Sequence, residues 1–286
     1  SFKLDKSLLT LRQHLLEKQG IVFHLGVEVG KHSLQQLLHS HDALFLGIGA
    51  QTPRDLHLPG KHFDGVTDAL SWLSDGHAKH ETYHDRFPHP CPPPRAGEGD
   101  EGSLREFHVN AATQAVKNRR IVVLGGGDSA MDCARTAIRQ GARTVTVAYR
   151  DTAQTMRASP KERKAAQEEG VVFLFEHLPI EVLGDEEVTG ISFEFHGETV
   201  LLDCDIVILA IGQVSRMPDW LEHLGIKTTP QGTVAVDDLG RTGHSKIYAG
   251  GDNTLGPGLV VRAFVAGRRA AQGICKDLRI RTGSLS

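Results

Sequence analysis

The sequence predicts an α/β chain, with parallel sheets covered by helices on both faces. Three observations lead there. Apolar runs such as Ile121-Val122-Val123-Leu124 and the one within Asp205–Leu209 are short and unbroken, as strands buried on both faces are. Helical patterns alternate with those runs along the chain. Glycine is in surplus, at 31 of 286 residues against an ordinary share of roughly 7%, and glycines stand where the apolar runs end.

The elements follow in order. Ser7–Lys18 reads as an amphipathic helix, with Leu8, Leu11 and Leu15 at helical spacing and Gly20 as its stop. Ile21–Leu25 reads as a short strand and Leu34–His39 as a short helix. Asp42–Gly49 reads as a buried strand ending in glycines. A helix is expected near Thr67–Leu73. Residues 74–104 change character, with clustered His, Pro, Gly and acids that cannot pack a core, and read as a flexible insertion or linker. A helix should precede Arg119. Ile121–Leu124 is a strand, followed by a glycine turn and a helix to about Gln140. Thr144–Tyr149 is a second strand, Ser159–Glu169 a helix and Val171–Phe175 strand-like. Residues 180–202 alternate apolar and polar as two or three antiparallel strands do. A strand at Asp205–Leu209 ends in Gly212. Lys246–Asp252 ends in glycines, and a helix runs from about Leu259 to Leu278.

Composition removes several classes of function. Hydrophobic residues make 40% and charged residues 23% of the chain, which is ordinary globular usage and excludes wholesale disorder. The net charge of −3 argues against a nucleic-acid or anionic-membrane binder driven by bulk charge. The four cysteines, Cys91, Cys133, Cys204 and Cys275, form no CxxC pair. That argues against an iron–sulfur or zinc-thiolate site built from this chain alone, and a reducing, cytoplasmic setting fits. No apolar run approaches the ~18 residues of a membrane span, and no signal peptide opens the chain. The chain begins with Ser1, so it is expected to be a piece of something longer.

Gly125-Gly126-Gly127-Asp128-Ser129-Ala130 is the strongest local signal. It fits G-x-G-x-x-[GA] directly after a strand and directly before a helix. Gly125 permits the tight turn. Gly127, without a Cβ, lets a pyrophosphate approach the backbone. Ala130 is small enough for helix and strand to pack closely, and the helix end offers free N–H groups and positive potential. At the end of the second strand, Arg150 suits the 2′-phosphate of NADP, whereas Asp151 blurs the choice. Arg157 and Lys161 are near enough to help. NADPH is expected, and NADH stays open.

Two elements repeat a theme. Asp42–Gly49 and Asp205–Gly212 each read Asp, apolar strand, then a small-residue turn, ending in Gly49 and Gly212. Each is a core strand with a glycine stop, or a place where the chain passes near a bound dinucleotide. A third element, Tyr248-Ala249-Gly250-Gly251-Asp252 followed by Leu259-Val260-Val261 at a helix start, suits a flavin. Asp252 can bond ribityl or ribose hydroxyls, and the helix N-terminus can stabilise charge on a reduced isoalloxazine. His77, His80 and His84 at i, i+3, i+7, with His89 and Cys91 beyond, make a metal site conceivable, but solvated histidines are the expected reading and no metal is assigned. Cys133 is expected to pack rather than react.

The run from Gly125 to Arg135, with Tyr149-Arg150, Met156 and Tyr248–Asp252, resembles the small (beta) subunit family of NADPH-dependent glutamate synthase, which is similar to the flavin domains of dihydropyrimidine dehydrogenase. Ser1–Lys6 and Phe45–Gly49 resemble it too, and the likeness covers almost all of the chain outside 74–104. It implies two Rossmann-like dinucleotide-binding domains, for FAD and NAD(P), the FAD domain being discontinuous and lacking its N-terminal unit. The implied boundaries are 1–73 and 216–286 for the FAD domain, 74–104 for the linker and 105–215 for the NAD(P)H domain. The implied activity is hydride transfer from NADPH to FAD. Electrons then leave toward the glutamate synthase large subunit, or toward another acceptor, for glutamate formation. By position, Gly125, Gly127, Asp128, Ser129, Ala130 and Arg150 would hold the nicotinamide dinucleotide, with Arg157 and Gly212 near it. Gly49, Gly251, Asp252, Leu259, Val260 and Val261 would touch FAD. No side chain need act as acid or base. The chain departs from the family pattern at Asp151, where a second Arg is usual, and at Arg262, where a small or hydroxyl residue is usual. It also lacks the cysteine region and first glycine motif. A binding module that takes up NAD(P)H without turnover is the alternative.

Overall fold

The computed structural model describes residues 5–78 and 116–280. The helix expected before Arg119, most of the 74–104 segment and the side chains of His77, His80, His84, His89 and Cys91 lie outside the described residues. The first part of the chain holds α1 (Lys6–Lys18), α2 (Lys31–Ser40), β1 (Leu44–Leu46), β2 (Thr52–Pro53), β3 (Val66–Asp68) and α3 (Ala69–Ala78). After it come β4 (Arg120–Leu124), α4 (Asp128–Arg139), β5 (Thr144–Tyr149), α5 (Pro160–Glu168), β6 (Val172–Phe175), β7 (Leu178–Gly184), β8 (Val188–Phe195), β9 (Glu198–Asp203) and β10 (Ile206–Leu209). The last part holds β11 (Gln213–Val214), a 3-10 turn (Asp219–Leu224), β12 (Ile247–Ala249), α6 (Asp252–Leu255) and α7 (Val260–Asp277). The described residues form two compact units, divided at Thr52/Pro53 and at Gly212/Gln213.

The continuous unit, 53–212, is built on a five-stranded parallel sheet in the order β3-β10-β4-β5-β6. Strand β4 explains why its sequence is unbroken apolar. Ile121 and Val123 face one core with Ala130, Met131, Cys133, Ala134 and Ala137 of α4. Val122 and Leu124 face the other, with Val182, Ile191 and Phe193 of the antiparallel β7-β8-β9 sheet. Period-2 alternation thus sends apolar residues to two faces, both covered. The small residues of α4 at i, i+3, i+4 and i+7 let the helix lie close to the sheet. The three antiparallel strands match the alternation read at 180–202.

Strand β3 was not expected. The helix expected at Thr67–Leu73 begins at Ala69, because the Asp68 carboxylate accepts from the Leu70 and Ser71 amides at 2.9 and 3.1 Å. Val66–Asp68 before it pairs in parallel with Val207–Leu209. A three-residue strand whose partner lies so far along the chain leaves no local signature. Through it, residues 53–73 lie with the continuous unit, whereas the resemblance implied one FAD-domain part over 1–73.

The split unit, 5–52 with 213–280, has a core of Leu34, Leu46, Leu221, Ile226, Val234, Ile247 and Ala249. It holds the parallel pair β1–β12, with Leu44 opposite Ile247. The buried strand expected over Asp42–Gly49 is three residues long, and Phe45 within it is exposed. The strand expected at Ile21–Leu25 does not form. It pairs with no strand among the described residues, and Val22 is 73% exposed. A strand is defined by its ladder, so apolar β-branched residues alone cannot make one. Leu8, Leu11 and Leu15 of α1 are exposed as well, and α7 exposes Phe264 and Val260, the latter to 86%. At the other end of α7, Arg241 grips Asp277 through two bonds of 2.7 and 2.8 Å, and Tyr248 donates to Asp277 at 2.7 Å. No helix among the described residues is long and apolar enough to cross a membrane.

Helices α4 and α5 are tied by charge. Arg135 meets Glu162 at 2.8 Å and Glu169 at 2.7 Å, and Arg139 meets Glu169 at 2.8 Å. Hydrogen bonds from Arg139 and Arg135 hold the Glu169 carboxyl down at about 2. A carboxyl lowered in the folded state adds stability that is fully present above its ordinary value near 4.5. That stability is lost as pH falls toward 2. Glu169→Gln should therefore lower stability at pH 7 by about 1–3 kcal/mol, read as a lower thermal midpoint, and the gap from the unsubstituted chain should close on acidification.

Candidate functional site

In the continuous unit the signal residues converge at the C-terminal end of β4. Gly125 leaves the strand with φ +144°, and a Cβ there would run into the Ala210 carbonyl oxygen just past β10. Gly125 is thus fixed by the close approach of the neighbouring strand. A Cβ at Gly126 would stand 2.5 Å from the Tyr149 ring at the end of β5. Gly126 was given no task by sequence reasoning, and nothing local could have revealed one. At Gly127 a Cβ would meet nothing within 4 Å. Gly127 is the N-cap of α4, with extended backbone and no side-chain cap. The first amides of α4 therefore face open space, which is the geometry that accepts an anion. Ala130 is fully buried and Ser129 is exposed.

Strands β10, β4 and β5 are adjacent and parallel, so their C-terminal ends stand side by side. The chain proceeds from β4 to β5 and β6 on one side, while β10 and β3 lie on the other. The glycine turn therefore sits at a topological switch point, where open α/β sheets bind their ligands. Gly212 follows β10 with φ +107°. Arg150 follows β5, is 72% exposed, and places its Nε 3.4 Å from the Asp151 carboxylate. Arg157 lies exposed between buried Met156 and Ala158. The Ala158 amide donates to the Gly126 carbonyl at 2.8 Å, which anchors that loop to the glycine turn. The structure thus gathers Gly125, Gly127, Asp128, Ser129, Ala130, Arg150, Arg157 and Gly212 around one set of strand ends. The Asp128 carboxylate accepts from the Ser159 amide at 3.1 Å.

In the split unit, β1 and β12 also end side by side. The Gly250 amide donates to the Leu46 carbonyl at 3.3 Å, and Asn253 Nδ2 donates to the same oxygen at 2.9 Å. Fully buried Asn253, unremarked in the sequence, stitches the two strand ends together, and its Oδ1 has no partner among the described residues. Gly49 and Gly251 take left-handed φ of +69° and +89° beyond the strands. Asp252 opens the short α6, Leu259 is the N-cap of α7, and Val260 and Val261 form its exposed first turn. A 580 Å³ cleft in the same unit is lined by Val234, Val236, Val261, Arg262, Val265 and Arg269, among others. Cys133 is fully buried with its thiol pushed up by burial, the state of a packing residue. Among the described residues no cluster of three or more His, Cys, Asp or Glu could hold a metal.

Comparison with known proteins agrees with this architecture. The family model described as "Pyridine nucleotide-disulphide oxidoreductase" matches residues 30–267. The chain is 36% identical over 302 residues to "Glutamate synthase [NADPH] small chain" of Halomonas elongata, covering 98% of this chain and 59% of that one. It is also 36% identical over 306 residues to "Putative oxidoreductase AegA" of Escherichia coli, covering 99% of this chain and 43% of that one. The chain thus spans about half the length of these relatives. Its fold is similar to the crystal structure of Lactococcus lactis thioredoxin reductase, with a TM-score of 0.61 at 23% identity, covering 83% of this chain and 66% of that one. The glycine turn at its switch point and the family match over residues 30–267 lead to one conclusion: the chain belongs to the pyridine nucleotide-disulphide oxidoreductase family.

Proposed function

We propose that this chain is the NAD(P)H-oxidising flavoprotein portion of a glutamate synthase small chain or a close relative. The observation that carries the reading is the open helix end at Gly127, set at the switch point of a parallel sheet and flanked by Arg150 and Arg157. The dinucleotide pyrophosphate would take the free amides at the start of α4, and Arg150 would meet a 2′-phosphate. Family membership and the likeness to the Halomonas elongata protein support NADPH as the reductant and a large-subunit partner as the acceptor.

The residues of the split unit fit the flavin end of FAD. The α7 N-terminus has no side-chain cap, and Gly49 and Gly251 hold conformations that bring backbone rather than side chains to the strand ends. The strand–glycine turn–helix among the described residues of this unit, β12 through Gly250 and Gly251 to α6, ends in a helix of four residues. When bound, FAD supplies the hydride acceptor, while the protein binds and orients. The exposed apolar surface at Val260, Phe264 and Phe45 favours a second reading, in which the chain alone binds NAD(P)H without turnover.

Two measurements test these readings. NADPH titrated into the purified chain should bind more tightly than NADH. Arg150→Ala should weaken NADPH by about tenfold, the scale of one charge-assisted hydrogen bond, and leave NADH unchanged. Equal affinity for both nucleotides in the unsubstituted chain would remove the 2′-phosphate role of Arg150. Separately, FAD added to the chain should give a bound flavin spectrum that bleaches with anaerobic NADPH. A chain that binds NADPH but retains no flavin is the non-catalytic module.

A further inference from the structure

Asp128 stands at the first position of α4, where an anion would dock, yet it is itself an anion. A carboxylate there repels a phosphate, so a direct contact to the pyrophosphate is poor electrostatics. Its geometry gives it another task. Its Oδ1 accepts from the Ser159 amide at 3.1 Å, and Ser159 caps α5 by accepting from the Glu162 amide at 3.2 Å. One residue earlier, the Ala158 amide bonds to the Gly126 carbonyl at 2.8 Å. Two consecutive amides are thus fastened to the glycine turn and the helix start. The first half of the loop has separate anchors. Tyr149 donates to the Thr155 carbonyl at 3.1 Å, and Arg163 donates to the Ala153 carbonyl at 2.6 Å. Arg157 lies between the two sets, exposed, next to the second one.

We propose that Asp128 is a positioning residue for the dinucleotide: through the Ser159 amide it latches the 151–159 loop to the start of α4 and so presents Arg157 beside the glycine turn. This rests on the dinucleotide reading of that turn. Asp128 then contributes through loop geometry, at the expense of its own charge. The role distinguishes it from Gly127, whose contribution is open space, and from Arg150, which belongs to the strand end and needs no latch.

The test separates the latch from the charge. Asp128→Asn keeps an oxygen acceptor for Ser159 and removes the negative charge; Asp128→Ala removes both. Asp128→Ala should weaken NADPH binding by about tenfold and speed tryptic cleavage after Arg157, followed by mass spectrometry without nucleotide. Asp128→Asn should bind NADPH at least as tightly as the unsubstituted chain, with cleavage after Arg157 as slow. Equal weakening by both substitutions would make the charge itself the contact and overturn the proposal. Unchanged binding in Asp128→Ala would overturn it too, whatever the cleavage rate. A chain that binds no NADPH before any substitution would remove the dinucleotide reading and this role with it. The cleavage rates, measured without nucleotide, would still show whether the latch exists.

Discussion

The architecture of the continuous unit depends on how closely three parallel strands can approach one another at one end. At the C-terminal end of β4, a carbonyl from beyond β10 and an aromatic ring from β5 press in from either side. Only residues without a side chain fit between them. Gly125 and Gly126 meet that steric demand, and Gly127 then leaves the helix end uncovered. Close packing and openness thus occur in three consecutive residues. Aligned strand ends, an α4 N-terminus without a side-chain cap, and a loop bonded back to the turn accompany that arrangement.

Much of the continuous unit was legible in the sequence because its signals are local. Ile121–Leu124 is a continuous apolar run, Thr144–Tyr149 follows it at βαβ spacing, and the glycine turn between strand and helix carries its own motif. What was not legible depends on partners distant in sequence. Strand β3 exists because Val207 stands beside Val66. Gly126 is required by Tyr149, and Asn253 joins two strand ends that the chain reaches some two hundred residues apart. The candidate residues Gly125, Gly127 and Ala130 were found through a motif whose spacing encodes strand, turn and helix. The use of Asp128 was not, because its partner is a backbone amide with no signature of its own.

The split unit shows the converse. Its sequence is as apolar as a core requires, yet α1, the 21–29 stretch and one face of α7 present that surface outward. Ile21–Leu25 has strand composition and no ladder, while β1 has a ladder on one edge alone. Reading β propensity as a property of a segment fails here, because it measures fit to a neighbouring strand. The elements that do hold, α2, β12 and the C-terminal end of α7, are those with internal partners, such as Asp277 gripped by Arg241 and Tyr248.

The contact between Gly126 and Tyr149 carries an evolutionary consequence. The space at position 126 is set by the ring at the end of the next strand, so the two sites are not free to drift separately. With the Tyr149 ring where it stands, any side chain at 126 requires the ring to move. A lineage that shrinks 149 first opens the way for alanine or serine at 126 without moving the backbone. Substitution order therefore matters. The middle glycine of the motif thus answers to the ring of its neighbour.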